Sequence, residues 1–133
     1  MAAPTLVLSP VAAPALISIV DDDESVRDAL WGFLRSVGFS VNVFASAEEF
    51  LNSDQLGKAD CLILDVRMPG MSGIELQRQL VSDDCKIPVI FITAYEDEGM
   101  RTQALFAGAG AFLIKPFSEE ALLNAIHAAL IPK

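Results

Sequence analysis

The sequence predicts an α/β fold in which a parallel sheet is covered by helices on both faces. Three observations predict it. Short apolar runs able to fill buried strands alternate strictly, five times over, with longer stretches of helical periodicity. The run Cys61-Leu62-Ile63-Leu64 passes straight into one carboxylate, Asp65, and Met68-Pro69-Gly70 then breaks the strand before Ser72, which is placed to cap a helix. The other apolar runs also finish in polar residues: Asp21-Asp22, Thr93 and Lys115. All strand carboxyl ends of a parallel sheet lie on one rim, so residues scattered over the sequence are gathered there.

At 133 residues with 53% hydrophobic side chains, the chain has material for one domain with a real core. Residues 1–14 read as a flexible Pro/Ala-rich arm, because three prolines interrupt them and no positive segment precedes them as in a secretion signal. Residues 15–131 read as the domain. Nine Lys and Arg against 18 Asp and Glu give a formal charge of -9, which repels a phosphate backbone and argues against nucleic-acid binding by this chain. No apolar run approaches the length of a bilayer span, so no membrane partner is expected. Cys61, inside an apolar run, and Cys85, in a polar connection, lack pairing or metal-ligand spacing; reduced thiols in a cytoplasm are the simple reading.

Residues 16–20 form the first strand and run into the acidic turn 21–25. The helix that follows carries Val26, Ala29, Leu30, Phe33, Leu34 and Val37 at spacings of three and four, and Gly38 ends it. The second strand covers 39–44. Ser46 with Glu49 has the capping-box spacing for a short helix over about 46–53. The third strand spans 62–65 and the third helix 73–81, with Ile74, Leu76 and Leu80 inward. The fourth strand covers 88–92 and ends at Thr93. A small-residue-rich helix over 97–107 then closes at Gly108, and some of Met100, Ala104, Leu105 and Ala107 must face the core. Residues 111–114 form a short fifth strand ending at Lys115-Pro116, and Ser118-Glu119-Glu120 caps a last helix running to about residue 130. His127 falls in that helix, far from the rim, with no expected role. Right-handed crossovers leave few other arrangements of five such units.

Taken singly, each rim residue has an ordinary reading. Asp21, Asp22 and Asp23 could be a solvated turn capping the next helix, Thr93 a strand-end hydroxyl, and Lys115 a surface charge. Their coincidence points to chemistry. Clustered carboxylates repel one another unless a cation sits among them, and hard oxygen ligands with open positions favour Mg²⁺, or Mn²⁺ in its place. Such a metal and the Lys115 ammonium can neutralise the equatorial oxygens of a phosphoryl group while one carboxylate attacks phosphorus in line and keeps it as an acyl phosphate.

Val20-Asp21-Asp22 with Val26-Arg27, Asp65-Val66-Arg67-Met68-Pro69 with Ser72-Gly73, Ile92-Thr93-Ala94, and Lys115-Pro116-Phe117 occur in the order found in receiver domains of bacterial two-component response regulators, which the chain resembles over about residues 15–130. The Asp-x-Arg-Met-Pro-x-Met-Ser-Gly segment resembles in particular the receivers of nitrogen-fixation-type regulators, whose full-length members append a helix-turn-helix output domain. The resemblance implies a (βα)5 flavodoxin-like sheet of strand order 2-1-3-4-5. It implies that Asp65 accepts phosphate from a phosphohistidine on a sensor histidine kinase. Asp22 would bind Mg²⁺ directly, Asp21 largely through water, and the Arg67 backbone carbonyl would complete the protein ligands. Thr93 would bond the phosphoryl oxygen and Lys115 would pair with it. Phe112 matches the family's switch aromatic, which turns inward when Thr93 moves. That motion biases the fourth helix, fifth strand and fifth helix, the family's usual homodimer or partner face, toward control of transcription. Arg67 and Tyr95 flank the pocket at positions that tend to tune phosphoryl lifetime, and a cis peptide is usual before the proline matching Pro116.

Two departures matter. With three consecutive aspartates, Asp22 and Asp23 could form the acidic pair in place of Asp21 and Asp22, and Phe112 stands where many members have tyrosine. A rival reading is a phosphohydrolase with Asp65 as nucleophile. Haloacid-dehalogenase-like phosphatases, however, show Asp-x-Asp-x-Thr; here Arg67 follows two after Asp65, so the general acid is missing, and the length leaves no room for a cap domain. A degenerate receiver acting only as a scaffold is disfavoured because every chemical position is filled. The expectation is a signalling domain that catalyses only its own phosphorylation and dephosphorylation.

Overall fold

In the computed structural model, residues 14–94, 98–106 and 108–131 are described. The elements alternate as β1 (Leu16–Val20), α1 (Glu24–Ser36), β2 (Ser40–Phe44), α2 (Ala47–Leu51), β3 (Cys61–Asp65), α3 (Gly73–Ser82), β4 (Val89–Thr93), α4 (Glu98–Phe106), β5 (Ala111–Ile114) and α5 (Glu119–Leu130). All strand pairs are parallel, in the order β2-β1-β3-β4-β5. This is the expected topology, with element ends moved by one to a few residues. The expected arm falls outside the described residues apart from Pro14, as do Tyr95, Asp97 and Ala107.

Two apolar layers clamp the sheet. Ile17, Ile19, Ile63, Ile90 and Ile92 point to one face and meet Leu30 and Leu34 of α1 and Leu122 and Ile126 of α5. Val20, Leu62, Leu64 and Phe91 point to the other and meet Phe50 of α2, Ile74, Leu76 and Leu80 of α3, and Ala104 of α4. Every residue of β3 and β4 is buried, as strands covered on both faces require. Each such aliphatic side chain contributes about 1.5–3 kcal/mol of burial free energy, so the central strands are the rigid part on which the rim is mounted.

Two expected inward residues of α1 are exposed. Successive helix residues are about 100° apart, so Ala29 falls off the stripe set by Leu30 and Leu34. Val37 is the C-cap, beyond the last turn, and 44% exposed. Gly38 (φ 102°) then turns the chain so that the Phe39 N–H reaches back to the Leu34 carbonyl at 3.1 Å. In α2 the expected capping box is only half formed. Ser46 Oγ accepts from the Glu49 N–H at 3.0 Å, but the Glu49 carboxylate takes the Ala45 N–H, at 3.1 Å. The full reciprocal box occurs at α3, between Ser72 and Glu75. Leu105 is 48% exposed while Ala104 is fully buried, so α4 turns a narrow small-residue edge to the core.

Candidate functional site

At the exit of β1 the Asp21 N–H still donates to the Phe44 carbonyl (3.1 Å), which holds the fully buried Asp21 side chain at the sheet edge. Its Oδ1 accepts from the Asp23 N–H at 2.9 Å and its Oδ2 from the Lys115 ammonium at 2.8 Å. Arg27, one turn into α1, donates from Nη1 to the Asp21 carbonyl at 2.9 Å. Asp22 is exposed beside it. Asp23 is the N-cap of α1, accepting from both the Ser25 N–H and Oγ, which together hold its carboxyl below the usual range. The carboxylates that gather at the rim with Asp65 are those of Asp21 and Asp22.

Asp65 ends β3, one position past the Val20–Leu64 pairing that brings β1 alongside. It is 5% exposed, and its Oδ2 lies 3.9 Å from the Lys115 ammonium. Burial, then the neighbouring Asp21 charge, push its carboxyl up to about 7, while Lys115 and a hydrogen bond from the Arg67 backbone pull the other way. The loop beyond is closed by the Gly73 N–H bonding the Val66 carbonyl at 2.9 Å. Gly73 has to be glycine, because a Cβ there would collide with the Asp65 carbonyl oxygen. Gly70 (φ 76°) makes the turn, and the Met71 N–H donates to Glu48 Oε2 of α2 at 3.0 Å.

On the other side, Thr93 ends β4 fully buried. Its carbonyl accepts from the Lys115 N–H at 2.7 Å, and this bond fixes where the lysine leaves β5. The Lys115-Pro116 peptide is cis, as expected. Phe112 is 8% exposed on β5, packed beside Phe91 with ring centroids 6.4 Å apart, and the Arg101 guanidinium of α4 stands 5.9 Å over its ring. His127 is exposed on α5, beside the Phe39 ring.

The donor set fits a hard divalent cation. One oxygen from each of Asp21, Asp22 and Asp65 lies within 4.8 Å of the others. That spacing is close enough for one cation to be shared by all three carboxylates. The raised carboxyl of Asp65 is the electrostatic sign of the same need. Three acids share one rim, and the single lysine among them is bonded to Asp21.

Asp21, Asp22, Asp65, Thr93 and Lys115 are thus brought to one rim, with Arg67 exposed in the adjoining loop and Phe112 one strand away in the core. Arg27, Glu48 and Gly73 acquire structural jobs that sequence reasoning did not assign. Gly73 carried a signal, since a glycine directly after an N-cap serine is a poor choice for helix propensity alone.

The sequence profile of the response regulator receiver domain matches residues 17–127. Response regulator protein TodT of Pseudomonas putida is 51% identical over 116 residues, which are 87% of this chain and 51% of TodT. Transcriptional regulatory protein FixJ of Azorhizobium caulinodans is 37% identical over 114 residues, 86% of this chain and 54% of FixJ. Among solved structures, the response regulator StyR superposes with a TM-score of 0.82 at 51% identity, over 89% of this chain and 60% of that one. FixJ-N does so with a TM-score of 0.80 at 40% identity, over 87% of this chain and 93% of that one. The chain spans about half the length of the curated relatives it matches. Its fold, the order of its rim residues and these relatives agree: the chain belongs to the response regulator receiver domain family.

Proposed function

We propose that this chain is a phosphorylation-switched receiver in which Asp65 takes a phosphoryl group from a sensor histidine kinase. The observation that carries the reading is the convergence of Asp21, Asp22 and Asp65 beside Lys115, whose ammonium lies 2.8 Å from Asp21 and 3.9 Å from Asp65. An Asp65 oxygen forms the new P–O bond as the donor's P–N bond breaks, leaving an acyl phosphate on this chain and an imidazole on the kinase. Asp21, Asp22, Asp65 and the Arg67 carbonyl would hold Mg²⁺, or Mn²⁺, which supplies charge neutralisation for the phosphoryl oxygens when bound. Lys115 would swing from Asp21 to a phosphoryl oxygen, a short move from its present position. The Thr93 hydroxyl would bond a second oxygen, and Phe112 would follow Thr93. An apolar groove of about 390 Å³, lined by Val26, Ala29, Phe33 and Phe117 among others, opens beside Lys115 and gives a protein donor a surface to dock next to the rim.

The output is a changed α4, β5 and α5 surface that acts on an output domain, a partner or a second copy, with transcription as the process, as the names of the transcriptional regulatory proteins TdiR and FixJ suggest. The setting is the cytoplasm; no helix among the described residues is long and apolar enough to cross a membrane. No metabolite is turned over. A small phosphodonor or beryllofluoride with Mg²⁺ is expected to modify or occupy Asp65, and Asp65→Asn to abolish this. An intact mass without added phosphate, together with no Mg²⁺ binding at millimolar metal, refutes the reading. Sustained turnover of phosphate esters favours the hydrolase instead.

A further inference from the structure

The site's least regular part is the loop between β3 and α3, and the structure ties it to an element with no part in the chemistry so far. Three consecutive amides on its returning limb are each satisfied. The Met71 N–H donates to Glu48 Oε2 at 3.0 Å, the Ser72 N–H to Glu75 Oε1 at 2.8 Å, and the Gly73 N–H to the Val66 carbonyl at 2.9 Å. The last two ties are local to the loop and the helix it begins. The first spans 23 residues and comes from α2.

Helix α2 is anchored at the backbone from which that carboxylate extends. Ala47 and Phe50 are fully buried, Phe50 meets Phe44 edge to face at 5.2 Å, and Ser46 caps the first turn. Glu48 is therefore left on the outer side, over the loop. Gly70 supplies the matching space: a Cβ at that position would stand 2.7 Å from Glu48 Oε2. Glycine is needed there for φ 76°, and a methyl in its place would push the Glu48 carboxylate aside.

From this geometry we infer that Glu48 is a positioning residue for the metal site, acting through the Met71 N–H to hold the loop that carries Arg67. The inference rests on the receiver reading above. Mg²⁺ tolerates little departure from octahedral geometry, whereas Gly70 gives the loop backbone more freedom than an L side chain would. A hydrogen bond between Met71 and an anchored neighbour restricts that freedom. What is set is the position of the Arg67 carbonyl relative to Asp65, two residues before it.

Glu48→Ala, Glu48→Gln and Gly70→Ala, made in the full chain, test this. Two quantities are read: Mg²⁺ affinity by calorimetry, and amide hydrogen exchange at Met71 and Gly73 without metal. Glu48→Ala is expected to weaken Mg²⁺ binding about tenfold, the lower end of what lost outer-shell partners cost. It should also speed exchange at Met71 while leaving Gly73 unchanged. Glu48→Gln keeps an acceptor oxygen and is expected to stay within about twofold of the wild type in both. Gly70→Ala, whose methyl displaces the carboxylate, should behave like Glu48→Ala. Wild-type Mg²⁺ affinity in Glu48→Ala overturns the inference. So does a Glu48→Gln variant as impaired as Glu48→Ala, because that would make the effect one of net charge. A wild-type chain that binds no Mg²⁺ refutes the receiver reading itself and this role with it, a result distinct from normal wild-type binding that Glu48→Ala leaves intact.

Discussion

The Lys115 ammonium bonds the buried Asp21 carboxylate at 2.8 Å while standing 3.9 Å from Asp65. One cation from the end of β5 thereby stabilises two acids from the ends of β1 and β3, and its close bond is to Asp21. Lysine suits this position. Its single ammonium on a flexible stem can change partner, as a fixed guanidinium fork cannot.

Removing that cation should therefore destabilise the protein and tighten its hold on metal. Lys115→Ala leaves Asp21 buried and unpaired, at a cost of about 2–3 kcal/mol in chelator, moderated because water reaches the rim. Added Mg²⁺ should recover more stability in the variant than in the wild type, because it no longer competes with the ammonium for Asp21. Denaturant melts with and without Mg²⁺ check this; an equal metal response in both proteins would show that Lys115 and the metal do not share Asp21.

Glycine positions offer a paired test of close approach against propensity. Gly73→Ala drives a methyl into the Asp65 carbonyl oxygen and is expected to cost about 3 kcal/mol and disturb Asp65. At Gly32, in the middle of α1, a Cβ would meet no atom within 4 Å among the described residues outside its own helix turn. Gly32→Ala should stabilise by about 0.5–1 kcal/mol. Chemical denaturation of both variants checks the opposite signs.

The contrast shows what the sequence could carry. Strand ends, caps and the rim acids are written locally. An apolar run meets a polar residue, a serine stands three before a glutamate, and a proline or glycine follows, so the topology and Asp21, Asp22, Asp65, Thr93 and Lys115 could be placed by reading along the chain. Val20 directly before Asp21 and Arg27 five positions after Asp22 favour Asp21 and Asp22 over Asp23 along the chain, and the bonds from Ser25 to Asp23 agree with them. The bond from Glu48 to Met71 and the steric demand on Gly73 arise when separate segments approach, and they leave no periodicity. Ala29 and Val37 follow the apolar spacing yet lie exposed, because spacing alone does not report how narrow the covered stripe of α1 is.

Ser18 is a further case in which three-dimensional surroundings decide. It sits at the centre of β1, fully buried, and its hydroxyl has no hydrogen-bond partner among the described residues. A buried unsatisfied hydroxyl costs about 1–3 kcal/mol, part of which Ser18→Ala gives back, less the small space left behind. The variant is expected to be more stable by about 1 kcal/mol in urea denaturation, with Mg²⁺ affinity unchanged. A destabilised variant would mean that the hydroxyl is solvated inside the fold.

Asp65 should make stability fall with pH in the absence of divalent metal. Its carboxyl titrates at about 7 in the folded chain, against an ordinary value of 3.8, because burial and the Asp21 charge disfavour ionisation. The folded state therefore binds the proton more tightly than the unfolded state. The associated stability is fully present below about pH 4 and is lost as pH rises through about 7. The amide that Asp65→Asn introduces does not titrate. The stability of Asp65→Asn relative to the wild type should accordingly rise by roughly 2–3 kcal/mol between pH 5 and 7 and level off above that. Saturating Mg²⁺ should flatten the wild-type slope, because the metal favours the ionised carboxylate. Urea denaturation of both proteins across this range, in chelator and in Mg²⁺, supplies the check. A difference between them that does not change with pH would place the Asp65 titration outside this window and remove the electrostatic argument that the three acids call for a cation.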